Sequence, residues 1–320
     1  MNLRIAEHPL FVGLAATALV SCLAGYIAHE ESRAPLLEIY VIALKGGRAV
    51  FIRTPDDQRI LVNGGQNSEI VKQITNVLPF YSRRIDTVIA TDTDLKNVTG
   101  LIDIIGRYDV RHAYFPRYTL DNIGLASTTG PSFQVFTSSL AEKQVNVREI
   151  GAGDQVRISG LEGVTPEPSP PVTLHALFPV DPSVFSYSKA SPPQIIFTIE
   201  HGMNRFTFVD DASVKVQKTI ANSTTTKQLF DMDDLDSILI TSKAGKIGDS
   251  AAELIKIIQP SWLIFEQTIS AKSSSASSAK AQKKADPLAG ILLGHRFNVR
   301  ALKVVRILSD GVTVEIETTP

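Results

Sequence analysis

Two aspartates in a short loop are the first residues whose type and spacing could support chemistry. Asp92 and Asp94 follow the apolar run at 85–90 and precede an apolar segment with helical spacing. This order predicts a buried strand, a tight loop and a helix start, which presents polar side chains at the end of a sheet. Carboxylates there suit a hard cation such as Mg²⁺ or Mn²⁺, or an ion pair. Lys96 and Asn97 lie in the same loop.

The elements that must position this loop follow from apolar periodicity. Residues 36–44, 49–54 and 59–63 predict three strands joined by turn-rich segments, which is a meander. Asn67 is predicted to cap a helix whose apolar face repeats every 3.6 residues. His201 lies in a predicted hairpin turn, which favours an exposed side chain over a metal ligand. Further strands are predicted at 109–115, 172–178, 195–200, 205–209, 236–240, 262–265, 302–308 and 312–317, and further helices at 132–143 and 212–221.

The order of these motifs resembles the metallo-β-lactamase fold, specifically its ComEC-type branch, a family associated with DNA internalisation. In that branch the loop reads T-H-P-D-A-D-H-I-G-G-L. Here Asp92 stands at the first His and Asp94 keeps its carboxylate, while Lys96 replaces an Asp and Asn97 replaces a His. The resemblance extends over about residues 36–318 and rests on several motifs in order rather than on any one.

The other metal-binding motifs of that family are altered as well. The segment 206–212 resembles the family's fLLtGDA, with Asp211 at the metal-bridging aspartate and Asp210 at the glycine. The family's H-H-G-S motif has Ser242 and Lys243 in place of both histidines. Two positions that would lie behind these residues have lost an acid, Arg48 and Asn63.

The resemblance implies an α/β (α+β) chain folded as an αββα sandwich of two mixed sheets, with a site that has lost its chemistry. Zinc in such sites is held by neutral imidazoles and carboxylates, and no His remains at a matched position. Zinc is therefore not expected, and no cofactor is predicted. If any metal binds, the ligands would be Asp92, Asp94 and Asp211, with Mg²⁺ or Mn²⁺ as the ion.

Two interpretations of the remaining charged residues stay open at this point. Lys96 and Lys243 could neutralise the carboxylates as a salt-bridge cluster in place of a metal, because anions packed together in a partly buried pocket repel one another. Alternatively, these residues are solvated loop groups. A catalytically inactive binding or assembly module is the first functional hypothesis. A phosphodiester hydrolase using Mg²⁺ or Mn²⁺ is the second, and a structural envelope component is the third.

The N-terminal segment predicts a membrane attachment. Residues 9–28 form an uncharged run of twenty, about the length that a helix needs to cross a bilayer. A weak positive bias before the run places the N-terminus inside and the rest of the chain outside the cytoplasm. The predicted organisation is thus an anchor at 1–33 and one domain at 34–320. A cleaved signal peptide and a lipoprotein modified at Cys22 are the alternatives.

Composition limits the other partners. The chain has 320 residues and a formal net charge of −1, so no global positive field draws it to nucleic acid. Nucleic acid is implied only by the family resemblance. The Ser-, Ala- and Lys-rich stretch at about 270–286 predicts a flexible insertion. The membrane itself and an unidentified membrane or envelope protein are the predicted partners, and the oligomeric state stays open.

Overall fold

The structure is a computed structural model, and it describes residue 21 and residues 36–79, 81–119, 130–159, 169–188, 191–210, 212–231, 236–241, 252–265 and 296–319. Apart from residue 21, these belong to the compact unit Leu36–Pro320. Within the described residues, no helix is long and apolar enough to cross a membrane. Apart from residue 21, the predicted span at 9–28 lies outside the described residues, as do Cys22 and the insertion at 270–286.

The first half of the unit forms most of an eight-stranded sheet. Its elements are β1 (Leu37–Leu44), β2 (Gly47–Arg53), β3 (Arg59–Val62), α1 (Glu69–Val77), β4 (Arg84–Ile89), α2 (Leu95–Arg107), β5 (Asp109–Pro116), α3 (Pro131–Glu142) and β6 (Asn146–Ile150). Strands β1 to β3 form the predicted antiparallel meander. Strands β4, β5 and β6 then join in parallel, each reached through a helix, as parallel neighbours require.

The second half forms a seven-stranded sheet on a similar plan. Its elements are β7 (Gln155–Arg157), β8 (Val172–Phe178), β9 (Ile196–His201), β10 (Asn204–Val209), α4 (Val214–Asn222), α5 (Thr224–Phe230), β11 (Asp236–Thr241), α6 (Ala252–Ile258), β12 (Trp262–Phe265) and β13 (Arg296–Asn298). Strands β7 to β10 are antiparallel and β10 to β13 are parallel. The chain ends with α7 (Val299–Leu302), β14 (Val304–Ser309) and β15 (Val314–Thr319), and these two strands complete the first sheet beside β1.

Three apolar cores separate four layers. Alternate residues of β1 and β2, such as Ile39 and Ile52, pack between the two sheets with Phe197 and Phe206. The intervening residues, such as Phe51, pack outward against α1, α2 and α3. A third core joins the outer face of the second sheet to α4 and α6. Side chains alternate across a strand, and in β1 and β2 both sets are apolar. Each sheet is therefore covered on both faces. The predicted αββα sandwich of two mixed sheets is confirmed.

Three glycines bring the loop after β3 against α2. The amide of Gly64 donates to the carbonyl oxygen of Asn97 at 2.8 Å, and the amide of Gly100 donates to that of Gly65 at 3.0 Å. A Cβ atom at Gly100 would lie 1.9 Å from the carbonyl oxygen of Gly64, so no side chain fits. This backbone contact fixes the two loops that carry Asn63 and Asp92.

The prediction that His201 is an exposed turn residue is wrong. Its side chain is fully buried, and it is the last residue of β9 rather than part of the turn. The turn that joins β14 and β15 covers the tip of the β9–β10 hairpin, where the amide of Met203 donates to the carbonyl oxygen of Gly311 at 2.7 Å. The predicted hairpin is present as β9 and β10. The segment that buries His201 is distant in sequence and is therefore not visible in the hairpin pattern.

Candidate functional site

Strand ends from both sheets meet at one edge of the sandwich. Asn63 directly follows β3, Thr91 lies shortly after β4, and Asp210 follows β10. Arg48 belongs to the start of β2, which lies beside the end of β3 because the two strands are antiparallel. In open α/β sheets, ligands bind outside the carboxyl ends of parallel strands, so this edge is the expected place for a site. We call Arg48, Asn63, Thr91 and Asp210 the Asp210 cluster.

The carboxylate of Asp210 is surrounded by side-chain donors. Nη2 of Arg48 lies 3.4 Å from Oδ1 as an ion pair, and the two side chains are only 8% and 15% exposed. Nδ2 of Asn63 and Oγ1 of Thr91 lie 3.4 Å and 3.5 Å from Oδ2. A buried carboxylate needs a partner charge and hydrogen bonds, and this one has both.

Asn63 and Thr91 hold one another in place behind Asp210. The amide of Thr91 donates to Oδ1 of Asn63 at 2.9 Å, and Nδ2 of Asn63 donates to Oγ1 of Thr91 at 2.9 Å. Asn63 adopts a positive φ of 60°, a conformation that Asn tolerates better than most residues. Sequence reasoning did not select Thr91, although its position between a buried strand and Asp92 marked it as part of the loop.

Asp92 organises its own loop. Its Oδ1 accepts from the amide of Asp94 and from Nδ2 of Asn97, each at 2.8 Å. Burial, then the carboxylates of Asp210 and Asp94, raise the pKa of Asp92 to about 6, whereas the hydrogen bonds from Asn97 and the Asp94 backbone act in the opposite direction. Asp92 and Asp210 therefore repel each other across the strand ends.

Lys96, the lysine of the predicted pocket that the structure describes, pairs with Asp94 rather than with Asp210. Nζ of Lys96 lies 3.7 Å from Oδ2 of Asp94, and these side chains are 37% and 65% exposed. The solvated interpretation therefore describes this pair, and the buried counter-ion of Asp210 is Arg48. From its sequence position, Arg48 was expected only behind the site. Its contact with Asp210 arises from the stacking of the two sheets, which a local sequence pattern does not show. Asp211, Ser242 and Lys243 lie outside the described residues.

The described residues around Asp210 do not fit zinc. Among the described residues, no group of three or more His, Cys, Asp or Glu side chains converges as a metal site would require. Around Asp210 the neighbours are a guanidinium, an amide and a hydroxyl, and a guanidinium cannot ligate a cation.

The cavity at the Asp210 cluster is almost filled. It measures about 10 Å³, and four apolar side chains line it beside the Asp210 cluster, Val50, Val62, Ile195 and Phe208. This is room for about one water molecule. Nη1 of Arg48 has no hydrogen-bond partner within the described part of the chain, and such a water would supply one.

Comparisons with known proteins give only distant likenesses. No protein-family model and no curated protein matches the chain. The similar solved structures include a variant of the CmlA beta-hydroxylase, with a TM-score of 0.44 and 13% identity over 73% of this chain and 46% of that chain. They also include the Rm3 metallo-beta-lactamase, with a TM-score of 0.38 and 14% identity over 69% and 86%. A metallo-beta-lactamase HARLDQ motif mutant from Cronobacter sakazakii matches with a TM-score of 0.41 and 14% identity over 68% and 80%. Identities this low assign no activity to this chain.

Proposed function

We propose that this chain is a metallo-β-lactamase-like protein of the ComEC-related type whose hydrolytic site has become a closed, non-hydrolytic one. It serves as a binding or assembly module, held at the membrane by residues 9–28. The observation that carries this proposal is the carboxylate of Asp210, which is held by Arg48, Asn63 and Thr91 beside a cavity of about 10 Å³.

Hydrolysis in such a fold needs an open metal position and a metal-bound nucleophile. The Asp210 cluster differs from this, because a fixed positive charge and two neutral donors already contact the carboxylate. The four-layer architecture and the order of the sequence motifs support the relationship to the superfamily. The altered side chains support the loss of its chemistry.

One observation favours a different outcome, a hydrolase that uses Mg²⁺ or Mn²⁺. The carboxylates of Asp92 and Asp210 repel each other, and a divalent cation between them would relieve that repulsion. The two hypotheses differ in what should stabilise the protein. In our proposal a neutral side chain at position 92 stabilises it, whereas in the hydrolase hypothesis a metal does so.

A thermal-shift series with Asp92→Asn separates them. The folded-state pKa of about 6 exceeds the ordinary value of 3.8, so the folded state binds the extra proton and wild-type stability falls as pH rises through this window. Asp92→Asn should therefore raise the free energy of unfolding at pH 7.5 by about 1 to 2 kcal/mol. Mg²⁺, Mn²⁺ and Zn²⁺ should leave the wild-type melting temperature unchanged.

Asp94→Asn is the matched control, because Asp94 is 65% exposed in the same loop. It should change stability by no more than about 0.5 kcal/mol. A metal-dependent rise in the wild-type melting temperature that Asp92→Asn abolishes, together with cleavage of a generic phosphodiester, would overturn our proposal.

The membrane attachment is tested separately. If residues 9–28 anchor the chain with its N-terminus inside, protease added to intact spheroplasts should digest residues 34–320. Full protection of that portion would contradict the proposed orientation. The result does not depend on the state of the Asp210 cluster.

A further inference from the structure

A second cavity lies between the sheets, away from the Asp210 cluster. It measures about 220 Å³ and is lined by residues of β3, β4, β5 and β7 with their flanking positions. On β4 it is lined by Asp86, Thr87 and Ile89, and Asp86 lies six positions before Asp92, about 20 Å along an extended chain. Asp86 therefore lies toward the opposite end of β4 from the Asp210 cluster. We call this cavity the inter-sheet cleft.

The apolar wall of the inter-sheet cleft belongs to the core between the sheets. Ile60 and Ile89 are buried members of that core, and Val156 and Ile158 pack against it. Protein interiors leave few voids larger than a water molecule, and an empty gap beside a core lowers stability. Concave sites with an apolar wall and a few polar groups are typical of small-molecule binding. At about 220 Å³, this one suits a single ring rather than a drug-sized ligand.

One carboxylate oxygen of Asp86 receives no hydrogen bond from the described residues. The residue is 3% exposed, and its Oδ2 accepts from the amide of Arg59 at 3.0 Å. Its Oδ1 has no hydrogen bond within the described residues, because Nη1 of Arg111 lies 3.7 Å away, beyond hydrogen-bond distance. A buried carboxylate oxygen left without a donor is costly. A ligand hydroxyl reaching Asp86 would remove that cost.

The charges around the inter-sheet cleft favour an anion. Arg111 and Arg157 line it, against the single carboxylate of Asp86. Asp86 is further neutralised by Arg84, whose Nε lies 3.3 Å from Oδ2. The side chain of Arg111 is 57% exposed, so its planar guanidinium can meet a ligand carboxylate at the mouth.

We propose that the inter-sheet cleft binds a small organic anion with a carboxylate, one apolar ring and a hydroxyl group. The carboxylate pairs with Arg111, the ring lies against the apolar wall, and the hydroxyl donates to Asp86. This binding requires neither a metal nor an intact Asp210 cluster, so it goes beyond the function proposed above.

Isothermal titration calorimetry with three probes tests the proposal. The probes are 4-hydroxybenzoate, benzoate, which lacks the hydroxyl, and 4-hydroxybenzyl alcohol, which lacks the charge. 4-Hydroxybenzoate should bind with one site per chain. Each of the other two should bind about tenfold more weakly or worse, a loss that corresponds to one directed polar contact.

Variants locate the site and assign the roles. Arg111→Gln should weaken the binding of 4-hydroxybenzoate by about tenfold. Arg107→Gln is the matched control, because Arg107 is an exposed arginine at the end of α2, and it should leave binding unchanged. Asp86→Asn keeps the shape of the side chain and should reduce the preference for 4-hydroxybenzoate over benzoate. No saturable binding, equal binding of the neutral alcohol, or equal effects of the two arginine variants would overturn the proposal.

Discussion

Replacing Arg48 by alanine is expected to lower the free energy of unfolding by about 3 to 5 kcal/mol, the usual cost of removing one partner from a buried ion pair. Arg48 is 8% exposed and is the only cation paired with Asp210 among the described residues. Without it, Asp210 keeps the long contacts to Asn63 and Thr91 and still lies near the Asp92 carboxylate. Chemical denaturation at pH 7.5 measures the loss.

A double-mutant cycle separates the charge from the packing of the long side chain. Asp210→Asn in the Arg48→Ala background should recover at least about 1 kcal/mol, because the uncompensated carboxylate is then gone. Arg53→Ala is the matched control on the same strand. Its partner Glu38 keeps a second arginine, Arg306, at 2.9 Å, so the loss should be about 1 kcal/mol or less. Equal losses in the free energy of unfolding for Arg48→Ala and Arg53→Ala would show that the Arg48–Asp210 pair contributes no more than an exposed pair.

His201→Asn is expected to remove a stability loss that the wild type suffers in acid. Burial lowers the pKa of His201 to about 4 from an ordinary 6.5, although the Asp310 carboxylate acts in the opposite direction. The unfolded chain therefore takes up the proton first. The stabilisation by neutral His201 is complete above pH 6.5 and is lost as pH falls through 4. Between pH 6.5 and pH 4, the free energy of unfolding should fall by about 3 kcal/mol for this reason.

The hydrogen bonds around His201 explain why the ring stays neutral. Oγ of Ser309 accepts from Nδ2 of Asn204 at 2.8 Å and from the amide of Gly311 at 3.1 Å. Its own proton must therefore go to Nδ1 of His201, 2.8 Å away, and Nε2 then donates to Oγ of Ser169 at 2.9 Å. A protonated ring would bring a third donor to Ser309. The same assignment means that His201 cannot act as a base toward Ser169.

The measurement is the difference in unfolding free energy between wild type and His201→Asn from pH 7.5 to pH 4. The difference is needed because Asp92 has the opposite pH dependence and partly masks the wild-type curve. The cost of His201→Asn should be largest at pH 7.5 and should shrink by about 3 kcal/mol at pH 4. Parallel curves for the two proteins would contradict this explanation.

The fold could be predicted because its layers depend on local patterns. The strands predicted at 36–44 and 49–54 are observed as β1 and β2, and the helix predicted at 132–143 is observed as Pro131–Glu142. The cap predicted at Asn67 is off by one residue, because the helix has Ser68 at its N-cap, although Oδ1 of Asn67 accepts from the amide of Glu69 at 3.0 Å. Such signals act over a few residues, and a single sequence displays them directly.

The partners within the site could not be predicted in the same way. Arg48 and Asp210 are 162 positions apart and meet only because the two sheets stack. His201 was expected at the surface for a similar reason, since the turn that buries it lies at residues 310–311. The inter-sheet cleft likewise joins Asp86 of β4 to residues around β7. Nothing in the local pattern at any of these residues specifies the distant partner.

The metal content of the purified protein tests the central claim most directly. The chain would be expressed without a chelator, incubated with Zn²⁺ and Mn²⁺, freed of unbound metal by gel filtration and analysed for its elements. Because a guanidinium and two neutral donors hold Asp210, we expect no stoichiometric zinc or manganese. One or two metal ions retained per chain, and lost in Asp210→Asn, would contradict the claim that this site has closed.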